Sequence, residues 1–316
     1  MPDSDLSDPI HLVCAADAHY GAYSGIMLAS VLRANPGEHF EIHLLSDHIR
    51  KRDRRKITTL VEAAGSCCTV YDVADRLMGY SRGAGNHLSR AAYARLLIAD
   101  LLPASIEHVL YLDCDIICTG ALRPLWQLAG SMGLLGMVPD REGEGWKALL
   151  GLQADATYYN SGVLLIDLAA WRENDVAVRL REWLSVNPEK IRLADQDAIN
   201  ACLQDRIAPL PDCWNLQIGL NSGPLPVDRL ASAALLHYNG QHKPWEYHFR
   251  GQGFEIFRAE KRASSWRYSL PTFRVTSRLT KAINKRIARW RSLAGKYRHF
   301  KEVQLKPSAQ RRGDAD

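Results

Sequence analysis

An α/β protein built on a mostly parallel sheet with helices on both faces is what the sequence predicts, and three observations predict it. Near-continuous apolar runs recur through the first 140 residues, helical patterns separate several of them, and most of the runs end in an acid. Strands buried on both faces read as unbroken apolar stretches, and alternation of strand with helix is the mark of parallel pairing.

The first run, HLVCAAD, ends at Asp17 and gives way to a helical pattern over about 22–34 that Pro36 closes. FEIHLLSD ends at Asp47 and leads into a helical pattern over 50–64, and CCTVYD ends at Asp72. A helical pattern over 88–101 stops before Pro103. HVLYLDCD ends in Asp113 and Asp115, GLLGMVPD ends at Asp140, and a further helical pattern covers 171–186. Ligands of such sheets bind beyond the carboxyl ends of the strands, so repeated aspartates make that rim acidic. An acidic rim suits a metal ion and the hydroxyls of a sugar better than a bare phosphate.

With 316 residues, 47% of them hydrophobic, the chain can bury one large domain plus an appendage. The opening MPDSDLSDPI is acidic and polar, unlike a secretory signal. The longest stretch without a charged residue, 124–139, falls short of the roughly 20 apolar residues of a membrane span. Seven cysteines, an odd number spread over a long chain, suit a reducing cytosol better than a disulfide framework. Cys114 and Cys118 lack the second pair that a structural zinc site needs. The net charge of +5 conceals two regions: Arg258 to Arg312 holds seventeen Lys/Arg against two acids, whereas residues 1–257 hold 23 bases and 31 acids. The expected division is therefore a catalytic or binding body over 1–257 and a basic tail over 258–316.

Asp113 and Asp115 close the apolar run Val109–Leu112, and carboxylates are a costly way to finish a buried strand. In an extended chain, residues i and i+2 point to one side. Two like charges facing one point call for a cation between them, held through oxygen ligands. The string by itself is weak, since Asp195-Gln196-Asp197 repeats it. Neither G-x-G-x-x-G nor a P-loop is present: GAGNHL over 83–88 lacks the third glycine and follows no strand. Phosphatases of the haloacid-dehalogenase type also begin from D-x-D after a strand, with Thr or Val two positions after the second Asp, where this chain has Ile117.

Six blocks decide among these readings: CAADAHYGAYSGIMLASV, NHLSRAAYARLLIADLLP, VLYLDCDIICTGALRPLW, YYNSGVLLIDLAAWR, ADQDAINACL and LLHYNGQHKPW. In order and spacing they resemble glycosyltransferase family 8 over about residues 11–250. The likeness is nearest to bacterial α-galactosyltransferases and α-glucosyltransferases that extend lipooligosaccharide and lipopolysaccharide cores, with glycogenin more distant. The resemblance implies a GT-A fold, Rossmann-like in its sheet. It also implies a UDP-sugar as donor, Mn²⁺ (with Mg²⁺ as the alternative ion), and retention of anomeric configuration.

Residue by residue, the resemblance makes Asp113, Asp115 and His237 the metal ligands, with Cys114 between the two aspartates counted among the donor-binding residues. Ala16, Asp17 and Tyr20 match the uracil-binding block, in which His19 departs from the family's usual residue. Arg95 is placed on the donor sugar or diphosphate, Gly240 and Lys243 on the diphosphate, and Asp140 and Asn160 beside the sugar. Asp195 matches a sugar-hydroxyl ligand, and Gln196 the residue facing the anomeric carbon. An amide is a poor nucleophile, so front-side attack by the acceptor hydroxyl is favoured over a covalent intermediate of the kind retaining hydrolases form. Read without the family, Asp195 would be a helix cap, Arg95 a helix-surface arginine and His237 a buried core residue.

From Leu279, apolar positions 279, 283, 287, 290, 294 and 297 fall on one helical stripe among Lys and Arg. A basic amphipathic helix with Trp290 and Tyr297 suits an anionic membrane surface, and the body carries no nucleic-acid recognition motif. The expected protein is thus a UDP-hexose transferase, cytoplasmic and peripheral at the inner face of the membrane, acting on a lipid-linked saccharide. The competing expectations are a D-x-D phosphohydrolase and a non-catalytic, membrane-tethered nucleotide- or sugar-binding protein.

Overall fold

The computed structural model describes residues 8–80, 89–218, 223–240 and 242–269. Its strands are β1 (Ile10–Asp17), β2 (Phe40–Asp47), β3 (Cys67–Asp72), β4 (His108–Leu112), β5 (Ile116–Cys118), β6 (Leu135–Pro139), β7 (Tyr159–Asp167), β8 (Ile207–Pro209), β9 (Leu216–Gln217) and β10 (Leu235–His237). Seven form the central sheet in the order β3-β2-β1-β4-β7-β6-β8, and β5-β10-β9 form a small second sheet. The pairings β3–β2, β2–β1, β1–β4 and β6–β8 are parallel, while β7 runs antiparallel to both β4 and β6. The mostly parallel sheet expected from the apolar runs is therefore present, with one reversed strand inserted. That strand was not among those predicted. Its apolar run passes into the Leu168–Glu173 helix with no Gly or Pro between them, so no local signal separates the two.

Alternation along β1 divides the core. Ile10, Leu12, Cys14 and Ala16 pack into the cluster on one face, with residues of the helices Gly21–Ala34, Lys51–Ala63 and Phe254–Ala263. Val13 and Ala15 pack into the other, with residues of the Val176–Val186 and Asp195–Leu203 helices. Gly21–Ala34 is buried almost all round, whereas Lys51–Ala63 buries only Asp53, Ile57 and Val61, a single stripe at i, i+4, i+8.

Two helical expectations are modified. The 88–101 pattern resolves into a 3₁₀ run, Arg90–Leu97, followed by one α-turn, Ile98–Leu101. The tighter winding stacks Arg95 over Ala92, whose carbonyl accepts from Arg95 Nε at 3.1 Å. The 171–186 pattern is two helices, Leu168–Glu173 and Val176–Val186. Between them Asn174 Nδ2 bonds the Ala170 carbonyl at 2.7 Å, and Asp175 takes a left-handed conformation (φ 48°).

Residues 8–245 and 249–269 belong to one compact unit; the second unit takes in 246–248 and the residues from 271 onward, nearly all outside the described residues. The boundary expected at 257/258 falls inside the Phe254–Ala263 helix, and packing continues beyond it. Trp266 is 1% exposed, and its Nε1 donates to Asp53 Oδ1 at 2.9 Å. Its ring lies so close to Gly25 that a Cβ there would come within 2.5 Å of three ring carbons. The amphipathic stripe 279–297 lies outside the described residues, among which no helix is long and apolar enough to cross a membrane.

Candidate functional site

Beyond the carboxyl ends of β1, β4 and β6 lies a cleft of about 750 Å³. Because β7 is reversed, it presents its amino-terminal residues Asn160 and Ser161 at the same rim.

One corner is built where the two sheets meet. Asp113 N–H donates to Gly162 O at 2.8 Å, extending the β4–β7 pairing by one residue. The chain then turns through Cys114 and Asp115 into β5. In the small sheet Ile116 pairs with His237, and Tyr238 N–H donates to Asp115 O at 3.0 Å, which sets His237 beside Asp115. One ligand atom each from Asp113, Asp115 and His237 lies within 4.8 Å of the others. His237 Nε2 is 3.3 Å from Asp115 Oδ1 and 4.0 Å from Asp113 Oδ2. The carboxylates converge as expected, but through a turn and a cross-strand pairing rather than through i, i+2 alternation in an extended strand. The donor set, two carboxylates and one imidazole, fits a hard or borderline divalent cation such as Mn²⁺.

Lys243 Nζ lies 2.5 Å from Asp115 Oδ2 and donates to Tyr238 O at 2.8 Å. Burial would raise the Asp115 carboxyl, but Lys243 and His237 more than offset it and hold it below the usual carboxylate range. Asp113 is shifted the other way, upward, chiefly by burial and against the pull of Arg95. Burial also pushes the Cys114 thiol well up, which leaves it uncharged.

Arg95 is an interior residue, 4% exposed, and not a helix-surface one. Its guanidinium bonds Asp113 Oδ1 at 2.8 Å and the Ser161 carbonyl, pairs with Asp195 Oδ2 at 3.0 Å, and lies over the Tyr111 ring at 4.4 Å. Burial pushes the Asp195 carboxyl up to about 7, with Arg95 opposing. Asp195 is not the cap residue: Ala194 occupies that position with φ 57°, and Asp195 is the first residue of the helix.

The opposite wall is a lattice of amides. Gln196 Oε1 accepts Ser161 N–H at 3.0 Å, so its amide nitrogen faces Asp140 Oδ2, also at 3.0 Å. Asn160 Nδ2 reaches the same oxygen at 2.9 Å, while Asp140 Oδ1 accepts Glu142 N–H at 2.8 Å. Ala16, Tyr20 and Gly240 also line the cleft. Asp17 and His19 are the two predicted residues that do not. Asp17 is engaged by the N–H groups of His19 and Tyr20 and by the Ser89 hydroxyl, at 2.8, 3.0 and 2.7 Å, and His19 is exposed.

Residues 11–248 match the family model for glycosyl transferase family 8. The chain belongs to glycosyltransferase family 8. It is 31% identical over 260 residues to lipopolysaccharide glucosyltransferase WaaO of Escherichia coli K12, covering 77% of this chain and 75% of that protein. To the lipopolysaccharide 1,3-galactosyltransferase of Salmonella typhimurium LT2 it is 28% identical over 285 residues, covering 86% and 83%. Its fold matches that of the galactosyltransferase LgtC, crystallised with donor and acceptor sugar analogues. The TM-score is 0.71 at 26% identity, over 81% of this chain and 96% of that one. The GT-A fold is thus the fold of this family 8 glycosyltransferase.

Several residues that build the site were not singled out from sequence. Asp197, the second acid of ADQDAIN, accepts the N–H groups of Arg192 and Leu193, each at 2.6 Å, and the Tyr158 hydroxyl at 2.7 Å. Asn200 bonds both backbone groups of Tyr159, tying the Gln196 helix to β7. Asn215 and Gln217 are 1% and 2% exposed, and both bond across to residues at the rim. Their signal was available: two amides at i and i+2 within the apolar stretch WNLQIG.

Proposed function

We propose that this chain is a retaining hexosyltransferase that moves galactose or glucose from a UDP-sugar to a lipid-linked saccharide of the lipopolysaccharide-core class. The observation that carries the reading is the convergence of Asp113, Asp115 and His237 beside Lys243, in the same cleft as the Asp140–Asn160–Gln196 lattice. Names of the family relatives, a lipopolysaccharide glucosyltransferase and a lipopolysaccharide galactosyltransferase, support the acceptor class.

In this reading Asp113, Asp115 and His237 hold Mn²⁺. When bound, the ion supplies a Lewis acid for the diphosphate leaving group. Lys243 and Gly240 receive the diphosphate, Arg95 and Cys114 border the donor, and Ala16 and Tyr20 flank the base. Asp17 and His19 act at one remove, shaping the turn that carries Tyr20. Asp140, Asn160, Asp195 and Gln196 hold the sugar. The Gln196 amide oxygen is engaged by a backbone N–H and its nitrogen by Asp140, which favours electrostatic support of the anomeric centre over nucleophilic attack. The acceptor hydroxyl then attacks from the face that UDP leaves. Residues to about 269 form the catalytic body, and the basic remainder brings it to the inner face of an anionic membrane, where lipid-linked acceptors lie.

The test is incubation with a panel of UDP-sugars and lipid-core saccharides, with and without Mn²⁺, reading product mass. One hexose should be added from one UDP-sugar, only with metal, and Asp115→Asn should nearly abolish transfer in a folded protein. Metal-independent transfer, or release of phosphate instead of UDP, would overturn the reading.

A further inference from the structure

The hydrogen bonds around His237 have a determined direction. A backbone N–H can only donate, so the Asn160 side-chain atom 2.9 Å from Gly162 N is its oxygen. The other end of that amide then donates to Asp140 Oδ2, as a carboxylate requires. Asn215 meets the same Asn160 oxygen at 2.9 Å and must present its NH₂ there. Its oxygen is left facing His237 Nδ1, also at 2.9 Å. Nδ1 therefore carries a proton, and Nε2 is the nitrogen that faces Asp113 and Asp115.

A second observation fixes the ring itself. A Cβ built on Gly162 would lie 2.2 Å from His237 Cε1 and 2.6 Å from Nδ1. The imidazole thus rests against bare backbone on one side and is bonded by Asn215 at Nδ1. Asn215 and His237 are 1% and 3% exposed, so water does not compete for this bond.

From this we infer that Asn215 is a positioning residue for the metal centre: it holds His237 in the Nδ1–H tautomer, ring in place, so that Nε2 is ready to ligate a divalent cation. Histidine ligands are commonly oriented by such a partner at the second nitrogen, and loss of the partner commonly costs ten- to a hundredfold in metal affinity. The inference rests on the reading of Asp113, Asp115 and His237 as metal ligands. It adds that the same Asn160 amide serves both Asp140 and, through Asn215, His237, so the sugar wall and the metal corner share one oriented relay.

Two measurements on the full chain test it. The first is the tautomer of His237 in metal-free, ¹⁵N-histidine-labelled protein at pH 8, with the signal assigned by its loss in His237→Gln. The Nδ1–H form should dominate in the wild type, and Asn215→Ala should shift the ring toward Nε2–H. The second is Mn²⁺ affinity without sugar donor, from the signal of free aqueous Mn²⁺ in electron paramagnetic resonance. Asn215→Ala should weaken it about ten- to a hundredfold, with metal-free UDP binding unchanged. A dominant Nε2–H form in the wild type overturns the inference with no variant needed, as does Mn²⁺ affinity in Asn215→Ala within twofold of wild type. If Asp115→Asn and His237→Gln bind Mn²⁺ as wild type does, the ligand reading itself falls, while the tautomer still reports on the Asn215 bond.

Discussion

Arg95 Nε and Asp195 Oδ2 lie 3.0 Å apart, on side chains 4% and 2% exposed. The contact is Coulombic and not an aligned hydrogen bond: the Nε–H is directed at Ala92 O, and Asp195 Oδ2 receives no hydrogen bond. Removing one partner of a buried pair leaves an uncompensated charge and costs about 3–5 kcal/mol. Arg95→Met should therefore destabilise by about that amount in urea unfolding, and less in an Asp195→Asn background. A coupling above about 1 kcal/mol in the double-mutant cycle is expected; additivity within about 0.5 kcal/mol would place the stabilisation elsewhere.

Substitution of Lys243 should separate use of the sugar donor from use of the acceptor. Its side chain is 14% exposed, and its ammonium sits beside Asp115. Loss of a charge-assisted contact at so enclosed a site costs about 1.5–3 kcal/mol, roughly ten- to a hundredfold in affinity. Lys243→Ala should raise KM for the UDP-sugar by that factor and leave KM for the saccharide acceptor near its starting value. Steady-state kinetics with each substrate varied in turn decides it, and a defect confined to the acceptor would remove Lys243 from the diphosphate.

The site was legible in the sequence where chemistry concentrates, and less so where it depends on tertiary geometry. Asp113 and Asp115 stand out because paired acids at a strand end are a dense local signal, whereas His237 and Lys243 are picked out only through the likeness of LLHYNGQHKPW to a family block. Asp17 was expected among the donor-binding residues, but it does not line the cleft: its carboxylate is engaged by its own turn and by Ser89, a contact 72 residues away that no local pattern announces. Gly162 reads as an ordinary glycine in a strand until the His237 ring is seen against it. For the fold, β1 to β4 and β6 carry continuous apolar runs, whereas β5, β8, β9 and β10 have three residues or fewer, too short to show a period.

His43 should make stability fall in acid. It is 4% exposed and bonds His11 and Tyr71, and burial, with His11 adding to it, pushes its imidazole down to about 4. In the unfolded chain the same group titrates near 6.5. Between those values the unfolded state binds more protons, so the stabilisation is complete above about pH 6.5 and is lost as pH falls toward 4. The loss amounts to about 2 kcal/mol between pH 7.5 and 5. Urea unfolding of wild type and His43→Gln at these two pH values measures it: the variant should show a shallower decline. Equal declines would mean that His43 titrates near its ordinary value.

Where the body ends determines how the tail is tested. A chain ending at residue 257 loses most of the Phe254–Ala263 helix and all of Trp266, and removal of a buried Trp side chain alone costs about 3–5 kcal/mol. That truncation should melt well below the full chain. A chain ending at 269 keeps both elements and should melt with it. Only the second cut isolates residues 270–316, which hold thirteen Lys/Arg against three acids. Each base near an anionic leaflet contributes about 1 kcal/mol, so engagement of even a few gives measurable binding that salt weakens. The full chain should co-sediment with vesicles containing anionic lipid and not with neutral ones, and the 1–269 chain with neither. Transfer to a short, soluble saccharide should survive in the 1–269 chain, because among the described residues every one that lines the cleft lies at or before Lys243. Equal binding to neutral vesicles would remove the electrostatic attraction, and loss of soluble-acceptor transfer in a folded 1–269 chain would make the tail part of the catalytic unit.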